Sequence, residues 1–367
     1  MILMKRIKKF LSLCLLCVFA LSTMMIGNVA LASSGFNNDP LPIDILLSAG
    51  ISLSDAEQLE GLQVVVAHMI SSGQITDDQA AYIVQQLKES EPIEVDYTVE
   101  SDLYEVIPFQ EQASEARNAS GSSRHITGQP SSYYAAIANH VNPYYPSLGF
   151  HEANANFYMT TPTLTGANNP QNDFPYFGFA YFRASTASMC EAGLMYTQNS
   201  SGVWGWLPYL FNSNSGVTPT LAKLVGLKPA TTTGVYMAVL LEGSGANTKL
   251  RQVVFDIYGG YAILFDIHHN PTNPTALGGI GTSTMMAERT IGVIRTSDSV
   301  ASGVNTGIIQ TTNSNLGSTD SLSNPQGYGL WDTQRGNTHD VINGNKPGAV
   351  TYTIQSYYSA EKVTISY

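Results

Sequence analysis

Beyond residue 128, short runs of aromatic and β-branched residues recur between clusters of Gly, Pro, Asn and Thr. Runs at 133–139, 156–159, 176–184, 189–198, 203–211, 235–242, 250–258, 261–267, 284–295 and 350–356 read as strands, and 363–367 closes the chain. With no helical repeat among them, they predict an all-β module at 129–367. The expected architecture is a two-sheet antiparallel β-sandwich of jelly-roll or concanavalin-like type. The pattern before it has a helical period. Ser54-Asp55-Ala56-Glu57 fits a capping box, and Leu59, Leu62, Val66, Met69 and Ile70 follow at helical spacing, with Gly73 as a stop. Thr76-Asp77-Asp78-Gln79 is a second box, leading into Ala80, Ile83, Val84 and Leu87 before Pro92. This small helical hairpin cannot bury a large core alone, so it is expected to lean on the sandwich or stay mobile.

Charge sharpens the division. Residues 33–124 hold sixteen acidic side chains against three basic ones, a net of −13, whereas 125–367 hold twelve against ten, a net of −2. The break predicts an acidic helical prosegment at 33–110 and a polar, protease-sensitive linker at 111–128. Before them, Lys5, Arg6, Lys8 and Lys9, an apolar run at 10–26 and Ala30-Leu31-Ala32 predict an export signal over 1–32 and a secreted product. An uncleaved membrane anchor is the other reading of that run. Overall acidity argues against nucleic-acid or anionic-membrane partners, and the expected state is a monomer. Cys14 and Cys17 leave with the signal. Cys190 then has no disulfide partner, cannot build a cysteine zinc site, and reads as a small buried apolar residue.

Two glutamates interrupt apolar strand runs: Glu191 in Ser188-Met189-Cys190-Glu191-Ala192-Gly193-Leu194, and Glu288 in Met286-Ala287-Glu288-Arg289-Thr290-Ile291. A carboxylate there is costly unless it faces a groove or has a partner. Alternation puts Met189, Glu191, Gly193 and Met195 on one face, with Cys190, Ala192, Leu194 and Tyr196 on the core face. Met286, Glu288, Thr290 and Gly292 share a face in the later strand. The pair reads either as an acid/base dyad or as two solvated or salt-bridged carboxylates, with Arg183, Arg289 or Arg295 as partners. Trp204, Trp206 and Tyr209 in the run after Glu191 are substrate-binding candidates, with ordinary core packing as the competing role. His268-His269 reads as a turn, and His151-Glu152 lacks a third metal ligand. Asp332 and Asp340 read as turn residues, and no nucleophile elbow or phosphate loop appears, so neither metal nor cofactor is expected.

Glu191-Ala192-Gly193 followed by Trp204–Tyr209 resembles the first catalytic element of the glutamic peptidases, in which the neprosin type has Glu-Ala-Gly. Ala287-Glu288 is similar to the start of the second element of the eqolisin type, Ala-Glu-Trp-Ile-Val. The likeness spans 128–294 and includes Tyr133-Tyr134-Ala135-Ala136 near its start. The Trp after the second Glu, the Gly-Gly-Glu of neprosin and the partner cysteines are absent here. The resemblance implies a sandwich made with a propeptide, a Glu191/Glu288 dyad activating water, and a protein or peptide substrate. The same strands also resemble YrpD-type secreted bacterial proteins. That implies a concanavalin-like module binding or cleaving glycan without peptidase activity.

Overall fold

The computed structural model describes residues 40–107, 134–142, 151–166, 173–183, 185–186, 188–280, 282, 285–295, 303–317, 329–330, 338–342, 349–356 and 360–367. The segments read as export signal and linker, and Asp332, lie outside them. Among the described residues no helix is long and apolar enough to cross a membrane.

Two large sheets dominate, as the strand pattern predicts. Sheet A runs β1 (Ile93–Asp96), β12 (Ala262–Asn270), β11 (Lys249–Asp256), β10 (Gly234–Glu242), β4 (Glu152–Met159), β15 (Ile309–Gly317), β19 (Ala360–Ile365) and β18 (Val350–Ser356), with β16 (Gly329–Leu330) beside β15. Sheet B runs β17 (Thr338–Ile342), β3 (Tyr134–Asn142), β13 (Met285–Arg295), β6 (Asp173–Arg183), β7 (Ser188–Gln198), β8 (Trp204–Ser213), β9 (Thr220–Lys223) and β2 (Glu105–Ile107). A two-stranded ribbon of β5 (Thr163–Thr165) and β14 (Gly303–Asn305) is tied to the residues after β19, where Val304 and Tyr367 exchange backbone hydrogen bonds. The pairing is antiparallel except for β1, which lies parallel to β12.

Alternation along each strand supplies the core. Phe177, Phe179 and Tyr181 of β6, Cys190, Ala192 and Leu194 of β7, and Ala287, Ile291 and Val293 of β13 point inward from sheet B. They meet Ala153, Ala155 and Phe157 of β4, Met237 and Val239 of β10, and Leu250 and Val254 of β11. Arg289 shares this inner face and is fully buried. It crosses to sheet A, where its Nη2 lies 2.8 Å from Oε1 of Glu361, and it also donates to Ser314. A charge this deep is tolerated only because it is paired.

Among the described residues four helices precede the sheets: α1 (Pro42–Ser48), α2 (Leu53–Gln58), α3 (Leu62–Ser71) and α4 (Asp77–Glu89). The Thr76 box forms as predicted, with Thr76 and Gln79 exchanging side-chain-to-backbone bonds. The first box does not: Ser52, not Ser54, caps α2 by accepting from the Asp55 amide, and Glu60, at φ +51°, breaks the expected single helix in two. Leu46, Leu59, Leu62, Val66, Met69, Ile83 and Leu87 pack on Tyr236, Ala238, Leu240, Val253 and Phe255, the outer face of sheet A. The hairpin therefore leans on the sandwich. The acidic segment goes further, since its β1 extends sheet A and its β2 extends sheet B.

Candidate active site

The site is built on the outer face of sheet B. Glu191 of β7 stands opposite Ala180 of β6, and Ala180 stands opposite Glu288 of β13. Directly opposed residues in antiparallel strands share a face. The two carboxyl side chains therefore rise from one row with only a methyl group between them, on strands about 10 Å apart, twice the interstrand spacing. The next row is smaller still: Gly193, Gly178 and Thr290. This run of Gly and Ala leaves a shallow floor, walled by Tyr209 and Phe211 of β8 and by Tyr176 of β6. Rings of Tyr176 and Tyr209 meet edge to face, with centroids 5.6 Å apart at 89°.

The glycines are required by these rings. A Cβ on Gly178 would sit 2.7 Å from the Tyr209 hydroxyl, and one on Gly292 would sit 2.6 Å from the Tyr176 ring. Tyr209 uses that space to cross the floor and donate its hydroxyl hydrogen to Oε1 of Glu191. Glu191 is only 3 % exposed. Burial pushes its pKa up from 4.5 to about 7, partly opposed by the Tyr209 hydrogen bond, which favours the ionised form. Glu288 is also buried and accepts a 3.3 Å bond from Oγ1 of Thr290, its neighbour on the same face. Among the described residues, Tyr176, Tyr209 and Glu288 share this face with Glu191, as do Lys223, which stands opposite Tyr209, and Glu105, its ion-pair partner toward the sheet margin.

Of the predicted binding residues, Tyr209 lies on the dyad face, one row along opposite Gly193, and is a hydrogen-bond partner of Glu191. Trp204 and Trp206 are corrected. They do share a face, but β8 turns that face inward, away from Glu191. Trp206 is buried in the inter-sheet core with its ring 5.0 Å from Phe177, and Trp204 stacks on Tyr196. Both sit on the inner-face side of β8, Trp206 buried and Trp204 half-buried at the strand end, and neither stands beside the carboxylates. Arg289 likewise faces the interior, so it is not a partner for either glutamate of the outer face.

His268 and His269 lie within β12, not in a turn. His268 faces outward, 2.5 Å from Glu94 and 3.3 Å from Glu242. Burial alone would lower its pKa, but hydrogen bonds to Glu242 and Glu94 outweigh this and raise it. His269 faces inward beside Tyr97 and Gln252. Cys190 is buried and accepts no reactive role: burial pushes its thiol pKa far up, and its Sγ lies 3.3 Å from Oδ1 of Asn212. The helices α1–α4 cover sheet A, so they do not lie over the Glu191 face as an inhibitory prosegment would. Among the described residues no cluster of three or more His, Cys, Asp or Glu is arranged to hold a metal.

Sequence reading missed Tyr176, Gly178 and Ala180 of β6 as the floor between the glutamates. The signal was present in the alternation of Tyr176-Phe177-Gly178-Phe179-Ala180, which is small on one face and aromatic on the other. No protein-family model matches the chain, and no curated protein sequence matches it significantly.

Proposed function

We propose that this chain is a glutamic-type endopeptidase, made with an export signal and an acidic N-terminal segment. The reading rests on one observation, the Glu191–Ala180–Glu288 row on a single sheet face. The resemblance of Glu191-Ala192-Gly193 to the glutamic peptidases supports it. In this reading the two carboxyl groups hold one proton between them. Glu191, with its pKa near 7, keeps the proton at acidic pH, and Glu288 acts as the base. Glu288 takes a proton from water as the water oxygen attacks the scissile carbonyl carbon. Glu191 protonates the carbonyl oxygen as the tetrahedral species forms. When the C–N bond breaks, the proton collected by Glu288 passes to the leaving amine, and one hydroxyl of the collapsing diol gives its proton back to ionised Glu191, leaving the carboxylic acid product. Both carboxyl groups thereby return to their starting protonation. Tyr209 holds the Glu191 carboxyl in one orientation and supplies a hydrogen bond when it ionises.

The test is hydrolysis of denatured protein across pH. The parent is expected to cleave in acid, to lose activity as pH rises through about 7, and to be insensitive to chelators. Glu191→Gln and Glu288→Gln are each expected to abolish cleavage. Full activity in either variant refutes the dyad. Cleavage of cell-wall glycan by the same two carboxylates, with no peptide cleavage, replaces the peptide substrate by a sugar.

A further inference from the structure

We infer that Tyr97, His269 and Gln252 form a hydrogen-bonded relay through the sandwich that positions Glu191. The inference rests on Glu191 being the proton-holding member of the proposed dyad. The Tyr97 hydroxyl lies 2.6 Å from Nδ1 of His269, with the two rings nearly parallel at 12°. Nε2 of His269 lies 2.9 Å from Oε1 of Gln252, and Nε2 of Gln252 donates at 2.8 Å to the carbonyl oxygen of Gly193. These contacts fix every donor. The Gln252 amide must turn its NH₂ to Gly193, so its oxygen accepts from His269, which therefore carries its hydrogen on Nε2 and accepts from Tyr97 on Nδ1. Burial holds the His269 imidazole neutral, with a pKa of about 3, so the chain keeps this direction at working pH.

The far end of the relay is an unusual piece of backbone. A strand carbonyl ordinarily lies in the plane of its sheet, but that of Gly193 is reached from the opposite sheet. A Cβ on Gly193 would point into the neighbouring strand, 2.6 Å from the Gly178 Cα and against the Phe177 carbonyl oxygen. The backbone is turned at Gly193, two residues after Glu191 and in the row that Tyr209 crosses. Gln252 is the only described side chain bonded to that carbonyl, and it stands alone as a polar residue between Leu250 and Val254 on the inner face of β11. The turn at Gly193 sets the height of Glu191 against Tyr209 and Glu288. Tyr97 lies in the acidic segment, so that segment contributes to the geometry of the site from behind.

Three variants test this: Gln252→Leu, Gln252→Glu and Tyr97→Phe. Each is followed by ¹³C-carboxyl NMR titration of Glu191, assigned by the signal lost in Glu191→Gln, and by kcat and KM across pH. Gln252→Leu is expected to move the Glu191 midpoint by about half a pH unit or more. It should lower kcat by about tenfold to a hundredfold at nearly constant KM, the range that misplacement of a reacting group produces. Tyr97→Phe should change both in the same direction by less. Gln252→Glu should approach the parent in acid, where the introduced carboxylic acid can still donate to Gly193, and fall away once it ionises. If the Glu191 midpoint is unmoved in folded Gln252→Leu and Gln252→Glu, the inference is overturned. A midpoint shifted in the variants, together with a parent that cleaves no peptide, retains the relay and removes the peptidase reading.

Discussion

Replacing Glu191 by Gln is expected to stabilise the protein at neutral pH and leave it unchanged in acid. In the unfolded chain this carboxyl ionises near 4.5, and in the folded protein near 7. Below pH 4.5 both states hold the proton and the group costs nothing. As pH rises from 4.5 to 7 the unfolded state gives up its proton while the folded state resists, so folding stability falls; above 7 the loss is complete. The gap between the two values, at 1.36 kcal/mol per pH unit, corresponds to a loss on the order of 3 kcal/mol. The site is nearly closed to solvent, so that figure needs no large discount for screening. Gln cannot ionise and still accepts from Tyr209 through its oxygen. Urea unfolding of parent and Glu191→Gln, followed by the fluorescence of buried Trp206, measures the difference between pH 4 and pH 8. The variant should gain roughly 3 kcal/mol on the parent across that interval. A difference that is flat with pH, or that favours the parent as pH rises, refutes the idea that Glu191 is a desolvated proton reservoir.

Two further changes separate neighbouring effects. Tyr209→Phe removes the hydrogen bond that favours ionised Glu191, which for a charged acceptor is worth about 1.5–3 kcal/mol. The Glu191 midpoint should therefore move upward from about 7 by roughly one to two pH units, carrying the alkaline limb of kcat with it; a fall in the midpoint contradicts the direction of that bond. Glu361→Ala leaves Arg289 charged and fully buried without its carboxylate, and calorimetry or urea unfolding should show a loss of about 3–5 kcal/mol. A loss below about 1 kcal/mol, the level of exposed pairs, contradicts the burial assigned to it.

Much of this arrangement was legible because strand side chains have a strict period of two. The face carrying Met189, Glu191, Gly193 and Met195, and the opposing core face of β7, follow from alternation alone. What alternation lacks is register and the inward direction of each strand. Alternation puts Trp204 and Trp206 on one face, but only the pairing of β8 with β7 shows that Tyr209 and Phe211 belong with Glu191 and that the tryptophans lie on the inner face. Glu191 and Glu288 are 97 positions apart in the chain, and their place in one row depends on β6 lying between β7 and β13, a fact of topology. β15 was missed because Gln310-Thr311-Thr312-Asn313-Ser314-Asn315 is polar on both faces and reads as a loop. β1 and β2 were missed because each has few residues and stands in an acidic stretch. Their strand character comes from the partners they join, β12 and β9.

Those two short strands change what proteolytic processing would yield. β1 is the terminal strand of sheet A and β2 that of sheet B, so the acidic segment closes one margin of each sheet. A cut in residues 111–128 would leave both strands hydrogen-bonded in place, and α1–α4 would still hold the outer face of sheet A. The product would be a two-chain molecule rather than a freed module. Stripping the shorter chain away would bare the backbone amides and carbonyls of β12 and β9. Open margins of that kind recruit strands from other molecules, so dissociation would end in self-association. The acidic segment thereby covers two sheet margins that would otherwise be open, whatever becomes of the peptide bond that follows it.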